Sequence, residues 1–314
     1  VLRVYSTFTP NYCQGAFAFV AVHPVVGLIV ARDVMGIEPL YIGINGDETW
    51  FASELKALSH CSWYNTFPLG SVYNGSFFTT IEHFVPRYEK DLFKVLRNSV
   101  EECLRVDVPW GVLLSGGLNS SIIGSLTRFC DRPKGYPVLH TFSIGLENSI
   151  DLIACKYVAK EIRSVHHELT FTVEEGLNTM VEAVYVAETS DLNTLTKCIP
   201  LLLLAKHVAA SGVKTVLSGL GAKEIFSEEN LFTGSIINKC MRSQGVQCTV
   251  PFLTSSVMDM ASAGVDKERM KNFLKDCVPK YTMHTIPNAI WVEACNQYGE
   301  NKIRLIYNTL YPGR

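Results

Sequence analysis

Apolar residues over the first eighty positions come in short blocks bounded by turn formers, and the blocks read as strands. Gly15-Ala-Phe-Ala-Phe-Val20 and Gly27-Leu-Ile-Val-Ala31 flank His23-Pro24, which predicts two strands and a turn. Phe17 to Ala31 is the longest apolar stretch, and His23-Pro24 interrupts it, so it falls short of the roughly 18 uninterrupted residues a membrane helix needs. Tyr41-Ile-Gly-Ile44 and Thr49-Trp-Phe-Ala52 are joined by Asn45-Gly46-Asp47, a hairpin signal, and Asn74-Gly75 predicts another turn. From Tyr88 to Val106 the period changes. Leu92, Leu96, Val100, Cys103 and Leu104 recur at helical spacing, and this helix opens a second domain.

Strands and helices alternate from there. Trp110-Gly-Val-Leu-Leu114 reads as a buried strand, followed by the loop Ser115-Gly-Gly-Leu-Asn-Ser-Ser121 and an apolar-faced helix to about Cys130. Leu139 to Ile144 is a strand, Asp151 to Ile162 a helix, and Val165 to Leu169 a strand. Thr172-x-x-Glu175 predicts a capping box for a helix carrying Leu177, Met180, Val181 and Val184. A helix over Leu201 to Ala210 and a strand over Val213 to Leu217 lead into Ser218-Gly-Leu-Gly221. Beyond Ser227 the pattern predicts short helices around Pro251 and over Met258 to Leu274. Strands separated by helices imply a parallel sheet wrapped on both faces. Both glycine-rich loops fall at strand C-termini, where open α/β sheets bind ligands.

Length and composition narrow the function. The 314 residues suit two domains, and the net charge of -2 gives no field for nucleic acid or an anionic membrane. Charged residues make up 18%, below the roughly 25% of an average soluble protein, which points to surface covered by another subunit. Ten cysteines are scattered without a C-x-x-C pair, which suits core thiols in a reducing, intracellular compartment, cytoplasm or mitochondrial matrix. The sequence starts at Val1 without Met, leaving open both a removed transit peptide and an N-terminus outside this sequence.

Ser115 to Ser121 is a strand-to-helix turn whose amides and hydroxyls suit a phosphate at a helix N-terminus. On the residues alone, a tight strand–helix connection fits equally well. The wider pattern is more specific. Leu114-Ser-Gly-Gly-Leu-Asn-Ser-Ser121 resembles the pyrophosphatase loop of glutamine-dependent asparagine synthetases. The resemblance continues through His140-Thr-Phe-Ser-Ile-Gly145, Glu188-Thr-x-Asp191, Leu217-Ser-Gly-x-Gly221, Val250-Pro-Phe-Leu253 and Trp291 to Tyr311-Pro-Gly-Arg314. Upstream, Gly15-Ala-Phe-Ala-Phe19, Arg32-Asp33, Gly36-x-x-Pro-Leu-Tyr41 and Ala52-Ser-Glu-x-Lys-Ala-Leu58 resemble the second half of that family's glutaminase domain. The resemblance implies an α/β fold: a partial Ntn-type glutamine amidotransferase α/β/β/α domain at 1–80, then a doubly wound, adenine-nucleotide α-hydrolase-like (PP-loop) synthetase domain at 88–314. It also implies that Ser115, Gly116, Gly117, Ser120, Ser121, Ile144, Ser218 and Gly219 cradle an adenylate.

The departures from the family bear on chemistry. The family's N-terminal Cys nucleophile has no counterpart, since Cys13 is internal and reads as a core or loop cysteine. The family's metal-binding Asp in the first loop is Asn119 here, a poor ligand for a hard cation. In the second loop the acid that handles the ammonia proton is Leu220, and another metal-binding Asp is Lys223. Thr196 stands for an Arg, Thr249 and Thr254 for a flanking Arg and Asp, and Ala294 for a phosphate-contacting Lys. His166 and His167 face opposite sides of a predicted strand and read as structural histidines rather than a metal pair. Glu188 and Asp191 fit either a substrate pocket or a solvated helix end, and Lys223 either a phosphate contact or a solvated loop.

These substitutions imply a catalytically inactive asparagine synthetase-like protein, with no catalytic residue and no bound metal. It would serve as a structural or regulatory subunit that meets other protein subunits through residues 1–80, without nucleic acid or membrane insertion. No cofactor is required, with weak binding of ATP or AMP allowed. Two other readings stay open: an active ATP-dependent synthetase seen here as an incomplete chain, and a non-hydrolysing adenine-nucleotide sensor. The expected exposed sheet face carries Phe17, Phe19, Val20, Leu28, Val30, Tyr41 and Phe51.

Overall fold

The computed structural model describes residues 6–13, 15–81, 91–104, 108–128, 130, 138–222, 225, 234–262 and 289–311. The chain divides into two compact units, Val1–Tyr88 with Leu253–Ser255, and Glu89–Phe252 with Ser256–Arg314.

In the first unit the described strands are β1 (Ala18–His23), β2 (Gly27–Arg32), β3 (Tyr41–Asn45), β4 (Glu48–Ala52), β5 (Trp63–Thr66), β6 (Ser71–Tyr73) and β7 (Phe78–Thr80). They form two sheets, ordered β1-β2-β6-β7 and β4-β3-β5, antiparallel throughout. The β3–β4 hairpin closes Asn45 against Glu48 over Gly46-Asp47, with Gly46 at φ 60°, the positive φ that a two-residue hairpin loop requires. Val30 from one sheet joins Leu40, Ile42 and Phe67 in a core that Leu28, Phe51 and Tyr73 pack against. Ile29, Ala31, Val72 and Ile81 make a second cluster with Phe17 and Phe19. The expected exposed sheet face is therefore mostly covered. Val30 is fully buried, and of the seven residues named for that face only Val20 is exposed, at 48%. The sequence reading overlooked that the strands present already form two sheets, whose apolar residues cover one another. Other large apolar residues exposed among the described residues of this unit include Val22, Val25, Trp50, Trp63, Phe77 and Phe78.

The Arg32-Asp33 pair of this unit is a structural clamp. The buried guanidinium donates to Glu38 O at 2.8 Å, Phe67 O at 3.1 Å and Gly36 O at 2.9 Å. Asp33 accepts from the amides of Ile37 (3.0 Å) and Glu38 (3.1 Å). Burial pushes the Asp33 carboxyl above its ordinary pKa, against the pull of those amides and of Arg32.

The second unit opens with α1 (Leu92–Cys103), capped by Asp91, whose carboxylate accepts from Phe93 N and Lys94 N. Next come β8 (Trp110–Leu113), α2 (Leu118–Leu126), β9 (His140–Leu146), α3 (Ile150–Glu161) and β10 (Val165–Phe171). After these lie α4 (Val173–Asn178), α5 (Met180–Ala187), α6 (Leu192–Ala210) and β11 (Thr215–Leu217). The chain continues through α7 (Gly234–Ser243), β12 (Gln247–Thr249), α8 (Ser255–Ser262), α9 (Ala289–Tyr298) and α10 (Glu300–Leu310). Among the described residues the sheet has the order β10-β9-β8-β11-β12, and every pairing is parallel. The chain winds outward in one direction from β8 through β9 to β10, then returns to β11 and β12 on the other side. The order reverses between β8 and β11, the switch point at which such sheets open a crevice. Trp110, Val112 and Leu114 pack into one core with residues of α1, α2, α3 and α8. A second core gathers α4, α5, α6, α7, α9 and α10.

Several elements differ from expectation. The capping box at Thr172 forms, with both Thr172 and Glu175 bonding, but its helix breaks at Thr179, whose hydroxyl donates to Glu175 O at 2.8 Å. Helix α6 begins at Leu192, nine residues before the expected Leu201, and contains Pro200. Strand β12 had no counterpart in the sequence reading. The helix expected from Met258 starts at Ser255, and its continuation to Leu274 lies outside the described residues. No helix among the described residues is long and apolar enough to cross a membrane.

Candidate functional site

The two glycine-rich loops leave β8 and β11, neighbours at the switch point, and they touch. A Cβ on Gly219 would sit 2.5 Å from Ser120 N and 2.7 Å from Asn119 C, so only a residue without a side chain lets the second loop rest on the Asn119–Ser120 peptide. The first loop is seated as tightly on α3. Gly116 has φ 71°, and a Cβ there would meet Ala154 Cβ at 2.6 Å and Cys155 N at 2.9 Å. Beneath it, Cys155 Sγ donates to Leu114 O at 3.0 Å, and burial pushes that thiol up to about 12.

The loop hydroxyls bond inward. Ser120 Oγ accepts from Ser115 N at 3.1 Å, lies 2.9 Å from Ser115 Oγ and reaches Gly117 O at 3.1 Å. Ser121 Oγ donates to Gly117 O at 2.7 Å. Gly117 N-caps α2 without a side-chain bond, so the first-turn amides have no intrahelical acceptor. Leu220 N donates to Ser218 Oγ at 3.2 Å. Asn119 and Leu220 are both half-buried beside this junction, and Lys223 lies outside the described residues. Ile144 sits toward the C-terminal end of β9, paired with Leu169, and packs against the second core. Ala294 is half-buried on α9, a helix that packs on α4 and α6. The structure thus joins residues 115–121 to 218–220 directly and places Ala294 in a different layer.

Thr196 is built into the α6–α9 packing. Its hydroxyl donates to Leu192 O at 2.8 Å, and its carbonyl accepts from Trp291 Nε1 at 2.8 Å. Pro200 has no N–H to offer that carbonyl, and the indole takes its place. Trp291 is buried, meets Phe171 edge-on with ring centroids 5.4 Å apart, and leaves no room for a side chain at Gly176, whose Cβ would lie 2.5 Å from the indole.

Glu188 and Asp191 take different roles. Glu188 ends α5 at φ 55° with its carboxylate 2.6 Å from Lys239 Nζ, and the two side chains are only 1% and 8% exposed. A solvated helix end is thus the wrong reading for Glu188. Sequence inspection missed it because Lys239 is 51 residues away. Asp191 is exposed and caps α6, accepting from Thr194 N at 2.8 Å.

The two histidines of β10 face opposite sides, as their spacing requires. His166 bonds Thr141 Oγ1 at 2.9 Å and Ser143 Oγ at 3.0 Å. His167 pairs with His140 at 2.9 Å and stacks on Phe142. Burial lowers the pKa of both. Cys13 is half-buried, its thiol 3.7 Å from Thr9 O, and burial raises its pKa.

Comparison with known proteins fits this geometry. The asparagine synthase family model matches residues 91–235, and a glutamine amidotransferase domain model matches residues 3–60. Asparagine synthetase B of Escherichia coli is 33% identical over 339 residues, covering 90% of this chain and 61% of that protein. The asparagine synthetase of Zea mays is 36% identical over 291 residues, covering 79% of this chain and 50% of its own length. The chain therefore spans about half to three-fifths of the relatives it matches. Among solved structures, the U34-tRNA thiolase NcsA from Methanococcus maripaludis is similar at 12% identity with a TM-score of 0.39, covering 70% of this chain and 77% of that one. On the family-model matches and the relatives at this identity, the chain belongs to the asparagine synthetase family.

Proposed function

We propose that this chain is a catalytically inactive asparagine synthetase-like protein that keeps the family scaffold as a structural or regulatory subunit. The observation that carries the reading is the loop junction. Where Gly219 packs on the Asn119–Ser120 peptide, the flanking side chains are Asn119 and Leu220. Amide formation through an acyl-adenylate needs a base for ammonia and a cation to hold the phosphates. A leucine moves no proton, and a neutral amide is a poor ligand for Mg²⁺. Thr196 and Ala294 support the reading, the first committed to helix packing and the second lacking any charge.

The free amides at the start of α2 favour a companion reading, in which the loop holds an adenine nucleotide weakly and without metal. Calorimetry of ATP binding, with Mg²⁺ and with a chelator, tests both. Weak binding that ignores Mg²⁺, or no binding, is expected. Micromolar affinity that collapses on chelation overturns the loss of the metal site.

For partners, the proposal places another polypeptide against residues 1–80. Val22 at 78% exposure, Val25 at 89% and Phe77 at 57% are large apolar groups left in water, the kind of surface that marks interaction sites. Co-purification with a partner, or self-association of the chain alone, is expected. A monodisperse monomer in sedimentation, with this region ordered, removes the support.

A further inference from the structure

A pair of thiols joins α6 to α7 inside the second core. Cys198 Sγ lies 3.4 Å from Cys240 Sγ, and both residues are wholly buried. Each sulfur has one backbone carbonyl nearby, Ala183 O for Cys198 at 3.9 Å and Cys198 O for Cys240 at 3.7 Å. Leu195, Ile199 and Leu202 belong to the same buried cluster. Such contact between two sulfurs on different helices is more than core filling requires, since a small apolar residue would serve at either position.

We propose that Cys198 and Cys240 form a redox modification site, at which a small hydroperoxide converts the thiol pair into a disulfide pinning α7 to α6. One thiol gives up its proton and, as thiolate, attacks the peroxide; the O–O bond breaks, and the departing hydroxide combines with the released proton and leaves as water. The sulfenic acid so formed is met by the second sulfur, an S–S bond replaces the S–O bond, and a second water leaves. Two thiols and one hydrogen peroxide give one disulfide and two waters, the peroxide taking both electrons. Contact between the sulfurs makes ring closure faster than entry of another peroxide, so the pair stops at the disulfide.

The surroundings set the rate. Hydrogen bonding to Cys198 and burial hold the Cys240 thiol well above its ordinary pKa, so the reaction is slow at neutral pH, quickens as pH rises, and waits on opening of the α6–α7 contact. Cys240 directly follows Lys239, whose ammonium bonds Glu188. The cross-link therefore fixes the turn of α7 that holds this ion pair.

The test uses the full chain. Hydrogen peroxide is added over a range of pH, free thiols are alkylated under denaturing conditions, and tryptic peptides are weighed. Cleavage after Lys197 and Lys239 puts each cysteine on its own peptide. The expected result is a Cys198–Cys240 cross-linked pair that grows faster at higher pH and disappears on reduction. Half-buried Cys61, beside His60, is the internal control for peroxide exposure. Recovery of Cys198 and Cys240 as alkylated thiols after Cys61 is fully oxidised overturns the proposal, and so does their recovery as separate sulfinic acids. Cys198→Ala should send Cys240 to higher oxidation states; the wild-type measurement decides the matter if that variant does not fold.

Discussion

The indole Nε1 of Trp291 donates to the carbonyl of Thr196 at 2.8 Å, the carbonyl that Pro200 leaves without its helical donor. A proline inside a helix interior ordinarily destabilises it by about 3 kcal/mol, and here the freed acceptor is satisfied from another helix. Trp291→Phe should therefore destabilise the second unit by about 1–3 kcal/mol from the unpaired buried carbonyl, in addition to lost packing. Pro200→Ala restores a backbone N–H and should recover part of that loss in the Trp291→Phe background. A double-mutant cycle in guanidinium is expected to show coupling of about 1 kcal/mol, and strict additivity would contradict the arrangement.

The Glu188–Lys239 pair sets a second expectation. Both side chains are almost wholly buried, so Lys239→Met takes the ammonium away from a buried carboxylate and should destabilise the unit by about 3–5 kcal/mol. Pairing it with Glu188→Gln removes that charge and should recover much of the loss. Urea midpoints of the two variants check this, and equal losses would show that the carboxylate is not held in the interior.

Gly219→Ala probes the contact between the loops. The added methyl falls 2.5 Å from Ser120 N, so the loops must part, at about 1–3 kcal/mol for overpacking. Gly212→Ala is a poor control because its φ is 83°. Gly124, where a Cβ would meet the flexible tip of Ile162 at 3.1 Å, serves better. Thermal midpoints should fall clearly for Gly219→Ala and little for Gly124→Ala.

Acid should weaken the second unit. His166 is held below its ordinary 6.5 by burial, with Glu168 opposing and His167 and Lys156 adding to the shift. His167 is lowered by burial and by its neighbours His140 and His207. The unfolded chain then binds protons more readily than the folded one. Stability is fully present above about pH 6.5 and falls as pH drops toward the depressed folded values. Asp151, raised by burial, acts in the opposite sense at lower pH. Chemical denaturation between about pH 8 and 5 should show this slope, flattened in His166→Gln and His167→Gln; a flat profile in the parent chain would contradict it.

The sequence made the strand–loop–helix units legible because hydrophobic period and turn residues act locally. Thr172 and Glu175 announced their capping box, and Asn45-Gly46-Asp47 its hairpin. What it hid was interaction at long range. Pro200 reads as a helix boundary unless the Trp291 donor, 91 residues later, is known. Glu188 looks solvated until Lys239 is folded onto it. Strand β12 is three residues long, too short for a period, and exists because β11 offers it an edge. At the site, the glycines were legible as loops, but their direct contact through Gly219 was not, since it depends on β8 and β11 being neighbours at the switch point.

Pyrophosphate release tests the central claim most directly. The purified chain with ATP, Mg²⁺, aspartate and ammonia should release no more pyrophosphate than a blank without protein. Turnover within a hundredfold of an ordinary enzyme's median, about 10 s⁻¹, would show that Asn119 and Leu220 are compatible with the family chemistry and would contradict the account.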